Sequence, residues 1–378
     1  MKYLAAAVIA IILLVFSISY VVWLSYPKTF LNIYILDKTV PDFRYKKHRA
    51  LFWVLNNARI VKANGKSYKI GYDYFGFHPL SDYQYDIKRI LLEQIDSVSD
   101  RYEVAYYTDT RGVYFNEWFK GFRRNGENSV IEGGLNQNDY LLLKTMKEKG
   151  KLIIGEYDIL GSPTSDLISY KTELLFNIHA TGWKGRYFSS LDSNNTEIPY
   201  KLIERYKAEH QGKWPFKGEG IILANNNTTL VLEPKKHLNV IYPQLVTDEN
   251  FRSQYHLPVS IDFTGWFEIT TPGDSVAVVA NFQLNLTSDG DSLLKTYGLT
   301  SIFPAIVVDN PKKIRTCYFA GDFATNRIPP VYSQMANSRK WLKIFSANKE
   351  KLFFQSYYFP LMEKLLKSYA EEIKAHKN

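Results

Sequence analysis

Apolar positions fall into three regimes along this chain, and each predicts a different kind of element. At the amino terminus, YLAAAVIAIILLVFSISYVVWLSY carries no charge over more than twenty residues. That is long enough for a bilayer span and longer than the core of a cleaved leader, and no small-residue cleavage site follows it. The run therefore predicts an uncleaved transmembrane anchor over residues 1–26, with Trp23 and Tyr26 at the interface. A juxtamembrane segment, residues 27–65, follows with a short amphipathic helix in HRALFWVLNNARI.

Through residues 66–179 the period switches back and forth between two and 3.6. Asn64-Gly65 turns the chain into a strand in KSYKIGY. Ile87, Ile90, Leu91, Leu92 and Ile95 have helical spacing after Ser81. YEVAYYTDT, NSVIEGG and KLIIGEY read as strands, and NQNDYLLLKTMKEKG and TSDLISYKTELLFNIH as helices. This alternation predicts a doubly wound, mostly parallel α/β sheet. From about 213 to 290 strands dominate: GEGIILANNNTTLVLEP reads as a hairpin, and Pro272-Gly273 breaks a further strand pair. SIFPAIVVDN and TCYFAGDF complete the first sheet. The expected organisation is an α/β domain over 66–345 with a β-rich insertion at about 213–290. An amphipathic helix over 346–378 follows, kinked at Pro360.

Composition narrows the classes. With 22% charged and 46% apolar residues the chain is globular. Its net charge of +9 includes no dense Lys/Arg block, so no nucleic-acid partner is expected. The single cysteine, Cys317, excludes an intrachain disulfide and sits in an apolar strand. The histidines show no metal-ligand spacing, and no phosphate-binding glycine loop is present, so neither metal nor cofactor is expected. The 28 Tyr, 23 Phe and 7 Trp are a surplus of amphipathic rings, which suits a core or a sugar-stacking surface.

Ligands of open α/β sheets bind beyond the carboxyl ends of the strands. The acids expected there are Asp73, Asp109, Glu132, Glu156 and Asp322, which together predict an acidic crevice. Each taken singly also reads as the cap of a turn.

Over about 35 residues, NSVIEGGLNQNDYLLLKTMKEKGKLIIGEYDILG resembles the core of the class I glutamine amidotransferase-like superfamily. Ile131, Gly133 and Gly134 match its Gly-Gly strand, and Tyr157 falls where active members carry cysteine. The resemblance implies a flavodoxin-like fold. It also implies lost glutaminase chemistry, since there is neither an elbow cysteine nor a late His-x-Glu pair.

Two aromatic clusters complete the candidates. HATGWKGRYFSSLD predicts a tight loop presenting Trp183, Arg186 and Tyr187 to a sugar ring or an acidic group. In FTGWFEI, residues two apart on a strand place Trp266 and Glu268 on one face. The expected function is a membrane-anchored, non-catalytic cell-envelope protein with its body outside the cytoplasm. It would bind polysaccharide or partner proteins, as in exopolysaccharide assembly or export. The alternatives are a carbohydrate-active hydrolase using Glu156 with Asp109, Glu268 or Asp322, and a structural subunit of a membrane complex.

Overall fold

The computed structural model of the protein describes residues 2–81, 83–120, 128–325, 327–344 and 348–377. Helix α1 (Lys2–Leu24) forms in the uncharged run, but its last turns dock on the body. Ser19 and Trp23 are buried. Ser19 Oγ donates to the Ala336 carbonyl at 2.9 Å, and the Trp23 indole to the Asn56 carbonyl at 3.1 Å. The part ahead of Ser19 reaches about 25 Å at 1.5 Å per residue, short of a hydrocarbon core of about 30 Å. Among the described residues no helix is long and apolar enough to cross a membrane. The expected anchor over residues 1–26 is therefore not met, and neither is the single-pass membrane location.

The strands of the two principal sheets are, in chain order, β1 (Ile33–Asp37), β2 (Phe75–Ser81), β3 (Gln84–Lys88), β4 (Val104–Asp109), β5 (Leu152–Glu156), β6 (Ile178–Phe188) and β7 (Gly220–Ala224). They continue as β8 (Thr229–Leu232), β9 (Gln244–Thr247), β10 (Ser260–Asp262), β11 (Trp266–Pro272), β12 (Ala277–Gln283), β13 (Ile302–Val308) and β14 (Thr316–Phe319). The main sheet is ten-stranded, in the order β10-β9-β12-β13-β14-β5-β4-β1-β2-β3. Only its centre, β14-β5-β4-β1-β2, is parallel. Every other neighbouring pair is antiparallel. The sheet is thus mixed, not the simple doubly wound parallel sheet that the alternation predicts.

The central strands IYILD, VAYYTD, LIIGE and TCYF are buried at every position, as strands covered on both faces must be. Adjacent residues of β4 identify the two covers. Tyr106 OH meets Tyr358 OH in the carboxyl-terminal segment, whereas Tyr107 OH donates to the Asp139 carbonyl in the helix Gln137–Glu148. That helix starts at Asn136, whose side chain accepts from the amides of Asn138 and Asp139.

The helix expected after Ser81 does not form as a unit. Gln84–Lys88 pairs antiparallel with β2 instead, placing Tyr85 against Phe77 with ring centroids 4.9 Å apart. Leu91 and Leu92 stay exposed, and an α-helix begins only at Ile95, after a single 3-10 turn over Leu92–Gln94. The cross-strand aromatic pair outweighs the helical spacing. At the other end, the irregularity expected at Pro360 is a π-helical turn over Phe354–Tyr358, just ahead of the last helix, Phe359–Lys377. Residues 346, 347 and 378 of that tail lie outside the described residues.

The second sheet has four strands in the order β8-β7-β6-β11. Its β6 is the segment expected to be an aromatic loop. Alternation of Trp183, Gly185 and Tyr187 with Lys184, Arg186 and Phe188 suits a strand, and the expected tight turn shrinks to a bulge. The register shifts between Ala180 and Lys184, where Gly182 takes φ +80°. Strand β11 also joins the main sheet's rim. The Glu268 amide donates to the Ala320 carbonyl at 2.8 Å, and the Asp322 amide to the Trp266 carbonyl at 2.9 Å.

Candidate functional site

The carboxyl ends of the parallel strands bring several charged groups together. Asp37 ends β1, Asp109 ends β4, Tyr157 and Asp158 follow β5, and Asp322 follows β14. Lys47, from the loop before the helix Arg49–Asn57, reaches between two of these acids. Its Nζ lies 2.9 Å from Asp109 Oδ2 and 2.7 Å from Asp322 Oδ2. Burial opposes the ammonium's charge, but the two carboxylates outweigh it and raise its pKa. Burial likewise opposes ionisation of Asp109, yet Lys47, Thr39 and Arg111 together hold it below the usual carboxylate range. Thr39 Oγ1 donates to Asp109 at 2.5 Å. Asp37 is held from behind by His48, with Nδ1 2.6 Å from Oδ2.

The turn after β5 divides its acids between two jobs. Glu156 points inward and is fully buried. Its carboxylate accepts from Tyr106 OH and from the Ala324 amide, the latter at 3.1 Å. Burial raises its pKa well above normal. Asp158 takes φ +72°, a left-handed conformation rare for a residue with a side chain. It aims into the cleft and pairs with Lys184. Tyr157 lies over Trp266 and beneath the Lys184 ammonium, which is 5.4 Å from its ring centre.

The opposite wall comes from the second sheet. Lys184 faces Glu268 across the β6–β11 ladder, and Arg186 faces Trp266. All four therefore share one side of the sheet. Tyr318 OH donates to Glu268, while burial pushes the Glu268 carboxyl up to about 7 against the opposing pull of Lys184. The main cleft encloses about 1130 Å³ and is bordered by Lys47, Arg111, Asp158, Lys184, Trp266 and Glu268. A smaller lobe of about 450 Å³ adjoins it, with Lys47, Glu197 and Trp266 bordering both. Trp266 is the aromatic at this waist.

The structure sorts the residues expected from the sequence. Trp266 and Glu268 line the main cleft, Asp322 borders the smaller lobe, and buried Asp109 reaches the site through Lys47; Trp183 lines the main cleft edge-on to Tyr297. Arg186 and Tyr187 border the smaller lobe, with Arg186 paired to Glu197 at 2.9 Å and Tyr187 OH donating to Glu219. Three acids lie elsewhere. Asp73 precedes β2 and so sits at the amino edge, where it pairs with Lys62 at 2.8 Å. Glu132 ends a separate two-stranded ribbon and is neutralised by Lys38 at 3.1 Å and by Arg89. Glu156 is walled off as described. The crevice is thus a lattice of ion pairs instead of a purely acidic one. Lys47, Asp158 and Lys184 carry no signal in the sequence: lysines in a loop and in an expected turn belong to no motif, and Asp158 stands one residue past the expected elbow position. Among the described residues no group of three or more His, Cys, Asp or Glu is placed to hold a metal ion.

No protein-family model matches the chain, and no curated protein matches it. Among solved structures it is similar to a protein of Bacteroides uniformis described as ThuA-like, at 10% identity and a TM-score of 0.34, over 89% of this chain and 92% of that one. It is also similar to Agd3, described as a carbohydrate deacetylase, at 9% identity and a TM-score of 0.37; the match covers 89% of this chain but 33% of that one. A third is the cytoplasmic protein STM3548 of Salmonella typhimurium, at 11% identity and a TM-score of 0.33, over 84% and 85% of the two chains. Likeness at this level leaves the reading of function to the cleft itself.

Proposed function

We propose that this protein binds a glycan along the two-lobed cleft at the carboxyl ends of the parallel strands. The observation that carries the reading is Trp266 at the waist between the lobes, flanked on its own sheet face by Lys184, Arg186 and Glu268. A sugar offers an apolar ring face for an indole and hydroxyls around its rim for fixed donors and acceptors. A long, open cleft of ion-paired side chains suits a chain of such rings better than a compact apolar ligand does.

Glu268 favours a second reading, a carbohydrate-active enzyme. A carboxyl held near neutrality inside a cleft suits proton transfer to or from a bound oxygen.

Calorimetric titration of the full chain against an oligosaccharide panel tests the first reading. Trp266→Ala should weaken binding about tenfold, close to 1.4 kcal/mol. Tyr72→Ala, an exposed aromatic outside the cleft, should leave it unchanged. Retention of no oligosaccharide, or equal loss in both variants, would sink the proposal. Product release from a bound oligosaccharide that disappears in Glu268→Gln, with binding kept, would select the enzyme.

A further inference from the structure

The ligand class can be narrowed by the smaller lobe, an inference that rests on the glycan reading above. Five cations line this lobe: Lys46, Lys47, Arg186, Arg327 and Lys349. Three of them are satisfied by carboxylates. Lys47 is held by Asp109 and Asp322, Lys349 by Asp262 at 2.6 Å, and Arg186 by Glu197 at 2.9 Å. Arg327 reaches carboxylates only loosely, with Glu197 at 3.4 Å and Glu350 at 3.7 Å. Lys46 has no salt-bridge partner among the described residues. Burial, Arg44 and Arg327 act against its charge and hold its pKa below the ordinary lysine value.

The lobe therefore presents an unpaired cation beside a loosely engaged guanidinium. That pair of positive charges calls for an anionic group carried on a small ring.

We infer that the smaller lobe is a subsite for an acidic sugar residue, its carboxylate taken by Lys46 and Arg327. A guanidinium matches a planar carboxylate in a two-point contact. The nearby Glu350 carboxyl disfavours a dianionic phosphate more than a monoanion.

The test uses the full chain and three uronate oligomers, from alginate, pectate and hyaluronan, each beside its carboxyl-reduced neutral counterpart. The best-bound oligomer should bind about tenfold more tightly in its acidic form, and added salt should erode the difference. Lys46→Met should bring the affinity for the acidic form down to that for the neutral one. Equal binding of the acidic and neutral forms overturns the subsite and leaves the glycan reading intact. Binding of the acidic form that is indifferent to Lys46→Met and Arg327→Gln overturns it as well. Failure to bind any acidic oligomer overturns the subsite, whereas the glycan reading falls only if the wider oligosaccharide panel is not retained either.

Discussion

Glu268 gives the sharpest test of the electrostatics described above. Its carboxyl titrates at about 7 in the folded protein against an ordinary 4.5. Between those values the folded chain holds a proton that the unfolded chain has released. Stability therefore falls as pH rises through this window, and the full contribution is present only below it. Integrated from pH 5 to pH 8, the shift amounts to about 2–3 kcal/mol lost. Glu268→Gln removes the titration but keeps an acceptor for Tyr318 OH. The substitution has a pH-independent cost from imperfect pairing, and that cost cancels when the two pH values are compared. Urea unfolding of both proteins at pH 5 and pH 8 should show the variant gaining about 2–3 kcal/mol relative to wild type on going to the higher pH. A stability difference that does not change between the two pH values would mean that Glu268 is an ordinary ionised carboxylate. The acid–base reading would then fall with it.

Two further perturbations probe the frame around the site. Lys47→Met strands two carboxylates that the ammonium now neutralises, and should destabilise by about 3–5 kcal/mol in urea unfolding; adding Asp322→Asn should recover part of the loss, and a cost below about 1 kcal/mol would contradict the bridging role. Gly76 takes φ +116°, and a Cβ there would lie 2.0 Å from the Asp37 carbonyl oxygen. Gly76→Ala should therefore lower the urea midpoint by an amount worth more than about 1 kcal/mol, and an unchanged midpoint would show that the β1–β2 contact is loose.

What the sequence disclosed follows from which interactions are local. The buried strands VAYYTD and LIIGE announce themselves by unbroken apolar runs, and the face shared by Trp266 and Glu268 follows from strand periodicity alone. Strand order does not. The five-strand parallel centre is set by pairings far apart in the chain, and nothing local distinguishes it from a wholly parallel sheet. The uncharged amino-terminal run was legible as a helix, but not the docking of Ser19 and Trp23 that shortens its free length. The cations were the least legible part of the site. A lysine earns its role from the acid it meets, and Lys47 meets residues 62 and 275 positions away in Asp109 and Asp322.

The backbone bonds that tie residues 266–268 to 320–322 have a mechanical consequence. They fasten the two walls of the cleft along a shared line, so the walls keep one register there unless these bonds break. On the glycan reading proposed above, a polymer meets walls already held in register and enters from the open side of the cleft. On that reading the groove takes the middle of a chain as readily as its end.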